Sequence, residues 1–236
     1  MSKRLKEGFK QKMNENMIKY DTIIDLTYDI EEGMTTFNAR WHPRVSIKQL
    51  GRIGMEGRET RKLSFGTHTG THIDAPLHFI ENGNSVEHIP LKKLIGKITF
   101  VDFSDLEKNT PITKDILEKI SVSEKMVFKF GWQKYWGTKE FYLDYPYFTK
   151  DGADYLISKG VQLIGYDTPS PDNSHTEMGS SEDSIIHKIF LSNCIILVEY
   201  LANLDKITLE DDWNIVALPL KIKNGDGSPC RVLLLK

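Results

Sequence analysis

The 236-residue sequence predicts a mixed α/β domain with a strand-rich core and flanking helices. Three observations carry this prediction: seven short apolar runs of strand length, three helix candidates set between them, and 39% hydrophobic content spread along the chain. A chain of this size and apolar content can bury one substantial core.

In chain order, Leu5, Phe9, Met13 and Met17 recur at every fourth position, the spacing of a helical apolar stripe. They predict a helical extension over residues 1–20 ahead of a main domain at 21–236. Strand-like runs follow at 22–27, 97–103, 126–130, 161–167, 195–201, 214–220 and 231–235, each rich in Ile, Val, Leu or aromatic residues. Helix candidates lie at 113–120 with Thr113 as N-cap, at 151–159 closed by Gly160, and at 182–192 with acids early and Lys188 late. The sequence NGDGSP at 224–229 reads as the turn of a hairpin joining the last two strands.

Composition excludes several classes of function. Lys plus Arg total 31 against 33 for Asp plus Glu, a net charge of -2 without a basic stripe, so nucleic acid is not expected as a partner. No run reaches the roughly 18 to 20 apolar residues of a membrane span. The charged N-terminus has no signal-peptide core, and the two cysteines, Cys194 and Cys230, form no CxxC pair; together these predict a cytoplasmic protein. Cys194 abuts an apolar run and reads as a small buried residue.

The chemistry concentrates in HTGTHIDAPLHF, residues 68–79. His68, Gly70, His72 and Asp74 are all even-numbered, so an extended chain projects them to one side. A zinc-type HExxH helix is the alternative for two histidines four apart, but the glutamate is absent and Gly70, Thr71, Ile73 and Pro76 disfavour helix. Imidazole nitrogens with a carboxylate suit zinc, manganese or iron. Hydrogen-bonded loop histidines without an ion are the bland reading. Farther on, Glu199 stands in the apolar run IILVEYL, where a carboxylate needs an ion or a partner. His187 can join it if its helix packs back on that strand; otherwise it is a satisfied core histidine. His42, His88 and His175 read as ordinary loop residues, the first and last in segments that could line a pocket. Asp167, at a strand end, reads as positioning a loop or a ligand.

The pattern HxGTHxDxPxH from His68 to His78 resembles the signature of the cyclase-like metal-dependent hydrolases, which include bacterial kynurenine formamidase and isatin hydrolase. Two further segments agree in order: IIDLTYDIEEGM near the start, and GYDTPSPDN at 165–173, similar to G-x-D-x-P-S-x-D. So does His187 followed twelve residues later by Glu199. The resemblance implies a swivelling β/β/α fold. It implies His68, His72, Asp74, His187 and Glu199 as ligands of one or two divalent ions, zinc or manganese, with Asp74 as a possible bridge and His78 as proton donor and acceptor. It also implies a small-molecule amide substrate and a homodimer or homotetramer.

The chain departs from the formamidases where substrate is chosen. Phe37 stands in MTTFNARWHP where they carry tryptophan followed by Pro-Gly-Asp, with Trp41 nearby, and Ile186 precedes His187 where they tend to pair histidines. Phe37 and Trp41 are therefore the candidate substrate contacts. The substrate is expected to be an aryl formamide, an isatin-like cyclic amide or a lactone. A non-catalytic metal protein is the rival class, although structural sites are usually closed tetrahedra rich in cysteine.

Overall fold

In the computed structural model, the described residues are 20–37, 39–209 and 212–236. The expected N-terminal helix lies outside them. The strands are β1 (Ile23–Asp25), β2 (Ser46–Gly51), β3 (Thr60–Ser64), β4 (His72–Asp74), β5 (Ile95–Lys97), β6 (Thr99–Asp102), β7 (Pro111–Ile112), β8 (Lys125–Lys129), β9 (Tyr147–Phe148), β10 (Leu163–Tyr166), β11 (Ile196–Glu199), β12 (Asn214–Pro219) and β13 (Gly227–Leu235). Nine of them form one sheet in the order β5-β12-β13-β4-β11-β10-β8-β6, with β1 added beside β13. Strands β6, β8, β10 and β11 pair in parallel, whereas β11-β4, β4-β13, β13-β12 and β12-β5 are antiparallel. The three-residue strand β4 thus joins the parallel half to the antiparallel half.

Alternation along the central strands builds two cores. Met126, Phe128, Ile164, Tyr166 and Leu197 face the helices Lys150–Ser158 and Ile185–Ser192, which contribute Leu156, Phe190 and Leu191. The residues alternating with them, Val127, Leu163, Ile73 and Val198, face the opposite side and pack with Ile215, Val232 and Leu234. Each fully buried aliphatic or aromatic side chain contributes about 1.5–3 kcal/mol, so both layers anchor the seam strand between them.

Most expected elements form, with instructive differences. The run at 97–103 divides into β5 and β6, each paired with a different neighbour, because the chain leaves β12 at Lys97 and joins β8 from Thr99. The third helix starts at Ile185 rather than 182, since Asp172 supplies acceptors for the amides of Ile186 and His187 at 2.7 and 3.2 Å. Strands β12 and β13 form the expected hairpin, but Gly227–Pro229 runs past it to pair with β4. Cys194 is exposed and Cys230 buried, the reverse of the reading for Cys194; it occupies a left-handed turn (φ 57°) between helix and β11 that directs it outward. The hairpin of β2 and β3 has no counterpart among the expected strands, because it is polar and mostly exposed, with Lys48, Gln49, Arg61 and Lys62 all open to solvent. No helix among the described residues is long and apolar enough to cross a membrane.

Candidate metal centre

The register of β4 against β11 assembles the centre. Asp74 pairs with Leu197, Ile73 with Val198 and His72 with Glu199. Ile73 and Val198 go to one core, so His72, Asp74 and Glu199 emerge together on the helix-bearing face, all buried. Gly70, at φ 58°, turns the preceding chain back over this face; a Cβ there would meet Met34 Cε at 3.3 Å. The turn carries His68 to Asp74, with Nδ1 2.7 Å from Oδ1. His187, from the helix Ile185–Ser192, places Nε2 3.2 Å from Glu199 Oε1 and 3.4 Å from Asp74 Oδ2. Pro76 starts a 3₁₀ turn that lifts His78 off the strand and stacks its ring on His68, centroids 3.8 Å apart.

Hydrogen bonding shows what the cluster lacks. His72 Nδ1 donates to the Gly70 carbonyl at 2.8 Å, a bond that selects the tautomer whose Nε2 lone pair faces Asp74 Oδ1 (3.3 Å) and Glu199 Oε2 (3.4 Å). In that tautomer no hydrogen stands between His72 Nε2 and either carboxylate oxygen. Asp74 Oδ2 is buried and makes no well-formed hydrogen bond, with His187 Nε2 only in ion-pair reach at 3.4 Å, an arrangement costly to desolvate. A cation among these atoms removes both conflicts, and the nitrogen and carboxylate donors suit a divalent transition metal. Two groups, His68/His72/Asp74 and Asp74/His187/Glu199, each bring their candidate ligand atoms within 4.8 Å of one another and share Asp74. A third, His68/His78/Asp226, adjoins them.

Protons respond to the same field. Burial opposes charge on His68, but Asp74 and Asp226 outweigh it and push the imidazolium up to about 10. Burial likewise opposes charge on His187, whose contacts with Asp172, Asp74 and Glu199 hold it well above the usual histidine range. Burial raises Asp74, but His68 and His78 carry it well below the carboxylate range. The carboxylates of the cluster therefore favour positive charge where the ligand groups converge.

Three neighbours escaped sequence reasoning. Tyr166 donates its hydroxyl to Glu199 Oε1 at 2.8 Å, Asp172 Oδ2 lies 2.5 Å from His187 Nδ1, and Asp226 Oδ2 lies 2.8 Å from His68 Nε2. Asp172 and Asp226 stand in segments that read only as a motif tail and a turn. The one available signal was their acidity inside otherwise turn-like sequence.

Phe37 lines a cavity of about 270 Å³ together with Met34, His42 and Arg44, and sets its ring edge toward Tyr142 at 6.1 Å. His42 connects the cavity to the centre, its Nε2 donating to the His68 carbonyl at 2.7 Å. Trp41 is 68% exposed and is not a lining residue of that cavity. His88 bonds Ser85, and His175 pairs with Asp144; neither enters a ligand group. Asp167 accepts the amides of Phe130 and Trp132 at 2.7 Å each, so it positions that loop, while burial raises its carboxyl to about 6.

Fold and site together define a protein with a buried His/Asp/Glu cluster, a candidate metal centre, at the seam of a mixed sheet. The chain belongs to the family described as "Putative cyclase", which its residues 24–173 match. It is 34% identical over 175 residues to a kynurenine formamidase of Bacillus thuringiensis subsp. konkukian, covering 73% of this chain and 78% of that one. The fold superposes on isatin hydrolase A from Ralstonia solanacearum with a TM-score of 0.80 at 23% identity, over 100% of this chain and 98% of the other. A potential metal-dependent hydrolase with cyclase activity gives a TM-score of 0.67 at 29% identity, over 91% and 97% of the two chains.

Proposed function

We propose that the chain is a metal-dependent amidohydrolase acting on a small aryl amide, with N-formylkynurenine as the leading candidate substrate. The observation that carries this reading is the orphaned, buried Asp74 Oδ2 at the meeting point of two ligand groups, with a further histidine, His78, stacked just outside them. A purely structural site has no use for that extra histidine. The kynurenine formamidase relatives and the neighbour named a potential metal-dependent hydrolase support the same class.

His68, His72, Asp74, His187 and Glu199 would hold zinc or manganese, as one ion or as two sharing Asp74. When bound, such an ion polarises a carbonyl and lowers the pKa of a coordinated water from 15.7 toward about 7. The protein's own part is positional and protolytic. His72 is oriented with Nε2 inward by its Nδ1–H bond to the Gly70 carbonyl, and Glu199 is steadied by the Tyr166 hydroxyl. His78 takes a proton from the attacking water as the C–O bond forms, and returns it to the leaving nitrogen as the C–N bond breaks. Phe37 walls one side of the cavity against an aromatic ring, and Trp41 is the second candidate contact.

The reading is tested by assaying metal-reconstituted protein with N-formylkynurenine, isatin and simple aryl lactones. Turnover of the formamide selects the leading substrate. Turnover of the ring substrates alone selects the isatin-like alternative, and inertness toward all three with metal bound counts against hydrolysis. We further propose a homodimer or homotetramer, because the β2–β3 hairpin exposes Leu50, Ile53, Met55 and Leu63 and isolated two-stranded hairpins are marginal alone. Light scattering that gives a monomer mass would refute it.

A further inference from the structure

We propose that Asp226 is a positioning residue that sets the ring tautomers of both His68 and His78, tying the candidate metal ligand to the proton carrier through one carboxylate oxygen. The inference rests on the hydrolase reading above. Asp226 Oδ2 lies 2.8 Å from His68 Nε2 and 3.6 Å from His78 Nδ1, a hydrogen bond to the first and ion-pair reach to the second. The two rings are stacked at 27°, so one carboxylate beside the stack addresses an edge nitrogen of each.

The consequence for His68 follows from its other nitrogen. Nδ1 faces Asp74 Oδ1 at 2.7 Å and therefore the place where the ligand groups converge. A hydrogen held on Nε2 by Asp226 leaves the Nδ1 lone pair directed inward, the tautomer a ligand needs. Toward His78 the same oxygen favours a hydrogen on Nδ1 and leaves Nε2 as the basic nitrogen. Each remaining histidine of the ligand set is held in the same sense: His72 Nδ1 by the Gly70 carbonyl and His187 Nδ1 by Asp172. Asp226 differs from these supports because it also reaches the residue that carries the proton.

The backbone around Asp226 is fixed to the segment that bears His78. Its carbonyl accepts the Ala75 amide at 2.9 Å, the Gly225 carbonyl accepts the Val86 amide at 2.8 Å, and the Asn224 amide bonds Glu87 Oε1 at 2.7 Å. Flanking positions have no room for side chains: a Cβ on Gly225 would lie 2.9 Å from Val86 Cγ1. The carboxylate is thus delivered to a set place between two rings, not left on a free loop.

The test uses Asp226→Ala and the milder Asp226→Asn, in the full-length protein. Zinc affinity is measured by chelator competition, alongside the metal-free thermal midpoint and the kcat and KM of zinc-loaded enzyme. Loss of such a support typically weakens metal binding by about 10- to 100-fold. The expected result is a loss of that size in Asp226→Ala, a smaller one in Asp226→Asn, a kcat lowered at saturating zinc with KM little changed, and a metal-free midpoint close to wild type. Unchanged zinc affinity and kcat, or a midpoint drop that accompanies every loss in both variants, would overturn the proposal. Wild-type protein that binds no zinc at all would instead overturn the hydrolase reading beneath it.

Discussion

Gly227 offers a way to displace one candidate ligand without altering any polar group. It begins β13 opposite Asp74, and a Cβ added to it would lie 2.6 Å from His68 Cε1 and 2.7 Å from the Ile73 carbonyl oxygen. Carbon contacts settle near 3.5–4.0 Å, so Gly227→Ala demands a shift of roughly 1 Å. Ile73 is held between β11 and β13 and resists, which leaves the His68 ring to move. A misplacement of about 1 Å near reacting groups costs on the order of 10²-fold in rate. Overpacking typically costs about 1–3 kcal/mol, equivalent to a midpoint drop of roughly 2–12 °C for a chain of this length. Chelator competition, steady-state turnover and thermal unfolding would be measured on Gly227→Ala beside Gly54→Ala, where a Cβ meets nothing within 4 Å. The control should match wild type in metal affinity and turnover, whereas Gly227→Ala should lose at least tenfold in both. Wild-type affinity and turnover in Gly227→Ala, whatever its stability, would refute the placement of His68 at the metal.

Two further predictions address the proton and the charge. His78→Ala should retain its metal, because His78 lies outside the two groups that share Asp74, while kcat falls about 10²- to 10⁴-fold, the usual contribution of a general acid and base; normal turnover would remove His78 from the mechanism. Metal affinity should rise with pH, since the proton that Asp74 and Asp226 hold on His68 up to about pH 10 in the metal-free protein has to leave before that nitrogen can bind an ion. The stabilisation that this proton gives the metal-free protein is complete below the ordinary histidine value of 6.5 and is lost as pH rises through about 10. Calorimetry in buffers of different ionisation enthalpy should therefore report proton release on zinc binding near pH 7, and zero release would contradict the assignment.

Much of the centre was legible because two local rules coincide in it. Strand alternation alone places His72 and Asp74 on one side, and the cost of an unpaired carboxylate in IILVEYL singles out Glu199; the register of β4 with β11 then brings the two together. The meeting of His187 with Glu199 depended on how a helix packs, which twelve residues of spacing cannot specify without the family resemblance. Asp226 was illegible for a different reason. Its partner His68 lies 158 positions away, and within NGDGSP an aspartate is what a turn ordinarily contains. Cys194 misled because an adjacent apolar run suggests burial, whereas a left-handed turn reverses the direction of the side chain. The β2–β3 hairpin was hidden by its charge, since sequence periodicity reports burial against a core and this hairpin has none.

The most direct test of the central claim is to measure metal content and N-formylkynurenine hydrolysis in the same zinc- or manganese-loaded sample, before and after chelation and again after the metal is restored. Each chain is expected to hold one or two ions, with turnover that disappears with the metal and returns with it. Turnover indifferent to chelation, or a protein that retains no metal at these ligands, would contradict it.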